Sequence, residues 1–234
     1  MSETVALIPA RGGSKRIHRK NVRNFHGRPI IAWSIGAAQH SELFDHIIVS
    51  TDDDEIAEVA RKEGAEVPFL RPAEFADDNV GITPVVQHAI QEMHRTGILI
   101  RELCLIYATA PFVRSSDLKK GQAILRSEHC DYVIAVTTYP FPIQRSLKKT
   151  VDGRLAMFQP EHFNSRSQDL EPAYHDAAHF CWGTAEAWMG NRCMYGPNTV
   201  PFMLPRHLVQ DIDCEEDWVS AEWLFRVFKD NCEV

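Results

Sequence analysis

Seven basic residues and no acid stand between positions 11 and 28: Arg11, Lys15, Arg16, Arg19, Lys20, Arg23 and Arg28. The run opens inside Pro9-Ala10-Arg11-Gly12-Gly13-Ser14-Lys15-Arg16, directly after a short apolar stretch. Two glycines let a backbone approach an anion closely and present N–H groups to it. Arg11 and Lys15 can neutralise phosphate charge, and Ser14 can add a hydroxyl donor. The spacing is neither G-x-x-x-x-G-K-[ST] nor G-x-G-x-x-G, so neither a P-loop ATPase nor a dinucleotide enzyme is supported. On charge alone, a solvated basic loop is the plain alternative.

A second group of chemical interest lies far along the chain. Asp211 and Asp213 are two apart, so in an extended segment both carboxylates share a face, where oxygen ligands suit Mg2+. Asp213 with Glu216 also fits a capping box at the start of a last helix. His175 and His179 are four apart and would share a helical face beside Asp176, which invites a transition-metal site. No third ligand has a recognisable spacing, and Tyr174, Phe180 and Trp182 suggest a partly buried strand instead. The acids at 52–55 could form a metal cluster, but acids opening a helix are the simpler reading.

The elements that must position these residues follow from the apolar pattern. Residues 4–9 suit a buried parallel strand. A helix is predicted over 29–40 with Pro29 as its first residue, then a strand over 44–50, then a helix to 63 stopped by Gly64. Residues 66–70 are a third strand candidate that Pro68 demotes to an edge or irregular segment. Thr83 and Pro84 look like the cap and first residue of a helix reaching 96. Strands at 103–107 and 132–136 flank a helix over 116–127. This alternation argues for an α/β fold with a mostly parallel sheet covered by helices. From 138 to 171 the pattern breaks, with prolines at 140, 142 and 160, and reads as an insertion into a domain formed by 1–137 and 172–234. Residues 215–230 read as an amphipathic helix presenting Trp218, Ala221, Leu224, Phe225 and Phe228.

Composition narrows the classes. The 234 residues suffice for one large domain carrying a small insertion. Apolar residues make up 44% and charged ones 24%, which argues against disorder. Net charge is −7, yet outside the basic run the remaining Lys and Arg face all 32 acids, giving −14. A local anion site fits that contrast better than nucleic-acid binding, which also lacks a row of aromatics beside the cations. No apolar run approaches a membrane span, and no basic segment precedes a long apolar core near Met1, so a cytoplasmic location is expected. The cysteines at 104, 130, 181, 193, 214 and 232 form no C-x-x-C pair and read as reduced, mostly buried thiols.

Together the motifs resemble the cytidylyltransferases that activate nine-carbon sialic-type sugar acids, most of all the pseudaminic acid branch. The resemblance runs through Ile8-Pro9-Ala10-Arg11-Gly12-Gly13-Ser14-Lys15-Arg16-Ile17 with Lys20-Asn21, then Val49-Ser50-Thr51-Asp52-Asp53 and Phe69-Leu70-Arg71-Pro72. It continues in Tyr107-Ala108-Thr109-Ala110-Pro111-Phe112, Arg166-Ser167-Gln168-Asp169, Tyr174-His175-Asp176-Ala177 and Asp211-Ile212-Asp213. His179 and Cys181 stand where that branch has glutamine and an aromatic residue. The resemblance implies a Rossmann-like nucleotidyltransferase that joins CTP and a 2-keto sugar acid into a CMP-sugar and pyrophosphate. Arg11 and Lys15 would be catalytic. Ala10, Gly12, Gly13, Ser14, Lys20, Asn21, Arg71 and Thr109 would bind nucleotide with Arg11. Tyr107, Arg166, Gln168 and His175 would bind the sugar, and Asp211 and Asp213 would hold Mg2+. The insertion would be a dimerisation arm carrying Arg166 toward the partner of a homodimer. Activation of N-acetylneuraminic or legionaminic acid is the nearest enzymatic alternative. An inactive nucleotide-binding protein is a further one.

Overall fold

The computed structural model describes residues 2–77 and 80–231. Along the chain run β1 (Glu3–Pro9), β2 (Asn24–Phe25), β3 (Arg28–Pro29), α1 (Ile30–Ser41), β4 (His46–Ser50), α2 (Asp54–Lys62), α3 (Ile82–Arg95) and β5 (Ile100–Ile106). Then follow α4 (Ser115–Ser127), β6 (Tyr132–Thr138), β7 (Leu147–Lys149), β8 (Leu155–Met157), β9 (Tyr174–Thr184), α5 (Ala185–Met189), β10 (Thr199–Met203) and α6 (Glu215–Asn231).

Six strands form the central sheet in the order β10-β6-β9-β5-β1-β4. β1 pairs in parallel with β4 on one side and β5 on the other, and β10 pairs in parallel with β6. Only β9 runs antiparallel, between β5 and β6. The α/β expectation is met, with that one reversed strand. Buried strands read as near-continuous apolar runs because both faces are covered. One face packs Ile8, Cys104, Phe180 and Trp182 against α1 and α4 residues such as Ile35 and Leu118. The other packs Leu7, Leu103 and Cys181 against Val86 and Ile90 of α3 and Trp188 of α5.

A third cluster positions the site. Ile17 of the basic loop, Phe25, Ile30 and Phe112 pack with Ile212 and with Trp218, Phe225 and Phe228 of α6. Burying an isoleucine side chain is worth about 1.5–3 kcal/mol. The wholly buried Ile212 and Ile17 therefore fasten the Asp211–Asp213 segment and the basic loop to one core. The apolar face foreseen for α6 is the buried one, with Leu224 partly buried.

Local differences have physical causes. Residues 66–70 form only isolated bridges, Ile48 with Glu66 and Thr51 with Leu70, as Pro68 breaks the ladder. α3 begins at Ile82 with Gly81 in the cap position, so Thr83 is not its cap. Pro29 ends the β2–β3 hairpin and precedes α1 instead of opening it. His175 and His179 lie on strand β9, not on a helix, so the shared helical face does not form. Cys104, Cys130 and Cys181 are buried thiols, Cys193 and Cys214 are exposed, and Cys232 lies outside the described residues. Among the described residues no helix is long and apolar enough to cross a membrane.

Candidate active site

β1 ends at Pro9 and β5 at Ile106, and the chain moves to opposite sides of β1 to form β4 and β5. Ligands of open α/β sheets bind in the crevice at such strand ends. A pocket opens there, lined by Arg11, Ser14, Lys15, Arg16, Lys20 and Asn21 from the basic loop. Pro9 and Ile17, then Tyr107, Ala108 and Thr109 after β5, and Asp213 complete it.

The loop is built before any ligand arrives. Ala10 is buried, and its N–H donates to Ser50 O at 2.9 Å. Asn21 Nδ2 donates to Arg11 O at 2.9 Å, and Ser14 N–H to Gly12 O at 2.9 Å. Gly12 N–H donates to Asp52 Oδ1 at 2.9 Å. Arg19, at a left-handed φ of 53°, grips Asp53 through two guanidinium nitrogens at 2.6 and 2.9 Å and also pairs with Glu55. Asp53 meanwhile caps α2, accepting from Ile56 N–H at 3.0 Å. The Arg19 hydrogen bond holds the Asp53 carboxyl below its ordinary value. The acids at 52–55 therefore open a helix and anchor the basic loop. Among the described residues no cluster of three His, Cys, Asp or Glu forms a metal cage.

On the carboxylate side, Asp213 Oδ1 pairs with Arg16 at 2.8 Å and lies 3.6 Å from Lys20 Nζ, which donates to Ile212 O at 2.6 Å. Exposed Asp211, buried Ile212 and half-exposed Asp213 alternate, as an extended segment requires. Asp211 keeps an exposed edge, yet the protein packed round its carboxyl, followed by the Asp213 charge, pushes it above the usual carboxylate range. Asp213 does not cap α6. Asp217 accepts from the N–H groups of Cys214 at 2.8 Å and Asp213 at 3.0 Å, and Trp218 N–H donates to Cys214 O. The capping box is thus one residue later than Asp213 and Glu216 suggest, with Cys214 as cap and Asp217 reaching back.

Arg71 is not the surface arginine its pre-proline position suggests. It is 6% exposed and lines a second hollow with Pro9, Arg11, Phe75, Val80 and Ile82. Among the described residues its Nε and one terminal nitrogen have no hydrogen-bond partner, and that terminal nitrogen lies 4.0 Å from an Asp52 carboxylate oxygen. Burial pushes its guanidinium below the ordinary arginine value. Pro9 and Arg11 border both hollows, so a single elongated ligand could occupy them together.

Other expected residues lie elsewhere. Gln168 lines a separate groove with Tyr139, Phe141 and Leu170. Arg166 forms a two-pronged pair with Asp169 at 2.7 and 3.1 Å. His175 Nδ1 contacts Asp176 O at 2.9 Å, its ring against Tyr139. None of the three lines the cation pocket of its own chain. His179 is fully enclosed, and burial followed by Arg114 pushes its imidazole down to about 3, so it stays neutral. Sequence reasoning read Asp52 only among acids opening a helix, Arg19 only within the basic run and Asp176 only beside a possible metal site, and it missed the contacts of Asp52 with Gly12, of Arg19 with Asp53 and of Asp176 with Tyr107. The acidic run beside a basic run was the available signal for the first two.

Residues 5–159 match the cytidylyltransferase family. A pseudaminic acid cytidylyltransferase of Campylobacter jejuni is 41% identical over 225 residues, 96% of this chain and 97% of the relative. A CMP-N,N'-diacetyllegionaminic acid synthase of Legionella pneumophila is 30% identical over 230 residues, 95% of this chain and 96% of the relative. Among solved structures, a CMP:2-keto-3-deoxy-manno-octonic acid synthetase complexed with CTP aligns with a TM-score of 0.70 at 12% identity. It covers 97% of this chain and 100% of the other, a likeness of fold. With most of its length matched by the family and a full-length relative at 41% identity, the chain belongs to the cytidylyltransferases, a family of nucleotidyltransferase enzymes.

Proposed function

We propose that the chain joins CTP to a nine-carbon 2-keto sugar acid, pseudaminic acid in the first place, giving the CMP-sugar and pyrophosphate. The observation that carries the sugar assignment is the 41% identity, along nearly all of both chains, to a pseudaminic acid cytidylyltransferase. The 30% identity to a legionaminic acid synthase keeps that sugar as the second reading.

The geometry supports nucleotidyl transfer. Arg11 and Lys15 line the pocket with Ser14, Lys20, Asn21 and Thr109, and would hold the triphosphate. Gly13 has nothing within 4 Å of where a Cβ would stand, leaving room for phosphate against the backbone. The buried, half-unpartnered Arg71 suits a polar base, and the ligand would supply the hydrogen bonds the fold does not. In the reaction, the sugar's anomeric oxygen attacks the α-phosphorus. A new O–P bond forms, the bond to the β-phosphate oxygen breaks, and the hydroxyl proton is lost. Arg11 and Lys15 stabilise the charge that gathers on departing pyrophosphate, and the pinned loop keeps them oriented beforehand.

Asp211 and Asp213 fit Mg2+. Their mutual repulsion is what a cation would relieve, and two carboxylates need the substrate's phosphate oxygens to complete a shell. When bound, the ion would neutralise charge on the α-phosphate.

The segment at 138–171 is proposed as a dimerisation arm inserted into one nucleotidyltransferase domain. It exposes Phe141 at 79%, Leu155 at 72% and Phe163 at 70%, apolar area that a second copy would cover. Arg166 would then reach the sugar carboxylate in the neighbouring subunit, beside Gln168 and His175. The test is kinetic. Arg11→Ala and Lys15→Ala should each cut turnover roughly 10²–10³-fold with the fold intact. Mixing Lys15→Ala with Arg166→Ala should restore activity in mixed dimers. Near-normal kinetics in both loop variants would remove the loop from the mechanism, and no recovery despite proven subunit exchange would confine the site to one chain.

A further inference from the structure

The carboxylate of Asp176, on β9, collects three donors. Ala178 N–H donates to Oδ1 at 2.8 Å, and the Tyr107 and Tyr195 hydroxyls both donate to Oδ2 at 3.2 Å. Tyr107 is fixed independently: its N–H donates to His179 O at 3.0 Å, and its carbonyl accepts from Ser34 Oγ at 2.7 Å. Tyr107 lines the cation pocket, while Tyr195 comes from the loop between α5 and β10 and is 70% exposed. Asp176 also lies within electrostatic reach of Asp211, on the carboxylate side of the pocket.

A phenol has one proton and two lone pairs. An ionised carboxylate can only accept, so each tyrosine spends its proton on Asp176. What Tyr107 then offers a ligand is lone pairs alone. We propose that Asp176 is a positioning residue that makes the Tyr107 hydroxyl an obligate acceptor, selecting a sugar acid that presents a hydroxyl or acylamino N–H donor at that point. Tyr195, on the same carboxylate oxygen, closes the subsite from the outside. A group that only accepts, such as an ether or ester oxygen in that place, would face the phenol's lone pairs and be rejected. This inference rests on the pocket being a sugar-acid site.

The test is a double-mutant cycle on the pyrophosphate-release reaction with CTP and pseudaminic acid. Tyr107→Phe, which keeps the ring and leaves Asp176 in place, should raise the KM for the sugar roughly three- to tenfold, the scale of one neutral hydrogen bond. The KM for CTP should stay within about twofold. Asp176→Asn lets an amide N–H donate to the phenol oxygen and frees the phenol proton. It should raise the sugar KM comparably, and the double variant should be no worse than Tyr107→Phe alone. Equal rises in both KM values, additive effects in the double variant, or an unchanged sugar KM in Tyr107→Phe would overturn the inference. Failure of the underlying reading looks different: the unmodified protein would then release no pyrophosphate with any sugar acid.

Discussion

Replacing Gly12 by alanine places a methyl carbon 2.6 Å from Asp53 Oδ2 and 2.9 Å from its Cβ. Neither Gly12 nor Gly13 is among the glycines at positive φ, so alanine fits both backbones and the effect is steric. At Gly12 the obstacle is a side chain held at both ends. Asp53 must leave Ile56 N–H, its capping partner, or its two-pronged contact with Arg19. Losing an N-cap costs about 1 kcal/mol, and a partly exposed ion pair up to about 1 kcal/mol. About 1–2 kcal/mol lowers the melting temperature of a chain this long by roughly 2–8 °C. At Gly13 the added methyl meets nothing. Gly13→Ala should melt like the unmodified protein, yet raise the KM for CTP, because the methyl occupies the space proposed for phosphate. Thermal unfolding followed by circular dichroism, with CTP kinetics on the same samples, reads both effects. A Gly12→Ala protein melting within 1 °C of the parent, or a Gly13→Ala protein that loses stability and keeps its CTP kinetics, would refute the division of labour.

Other expectations are equally specific. Glu102 is buried; burial alone would raise its carboxyl, but hydrogen bonds from Arg126 and Thr4 hold it below 4.5, with Gln122 donating as well. Its contribution is therefore complete above the unfolded value near 4.5 and lost as pH falls through the lower folded value, so Glu102→Gln should flatten the acid limb of a stability–pH curve; an unchanged limb would exclude it. Ala178 carries a φ of 51° at the bulge in β9, so Ala178→Gly should stabilise by about 1 kcal/mol in denaturant melts, and a loss of stability would contradict the strain. Asp217→Ala should lower stability by about 1 kcal/mol through α6's lost cap, whereas Asp213→Asn should cut turnover and shift the Mg2+ requirement at nearly constant melting temperature; the reverse pattern would exchange their roles.

Much of the fold was legible because its signals are local. Apolar runs marked β1, which ends at Pro9, and β4, which ends before the acids at 52–55; Pro29 marked the start of α1 to within a residue, and those acids marked α2. β9 was harder to read. Its eleven residues mix Tyr, His, Asp and Cys, since it must fill the sheet centre and also carry polar groups to the pocket, and its reversed direction leaves no trace in periodicity. The basic loop announced the site by charge contrast. Apart from the family resemblance, the use of Arg71 did not show, because a buried arginine and an exposed one before a proline look alike in sequence. Asp176 was hidden for a related reason: its partners Tyr107 and Tyr195 are 69 and 19 residues away, and only the sheet brings them together. The cap of α6 was placed one residue early because Asp213, Glu216 and Asp217 all suit a helix start. Only the N–H directions choose among them.

The most direct test is pyrophosphate release by the unmodified protein with Mg2+, offering each nucleoside triphosphate against pseudaminic, legionaminic and N-acetylneuraminic acids and identifying the product by mass. The expected result is release with CTP alone, a CMP-sugar as product, and the highest kcat/KM for pseudaminic acid. Release with UTP or ATP but never CTP, or no release with any of the three sugar acids, would contradict it.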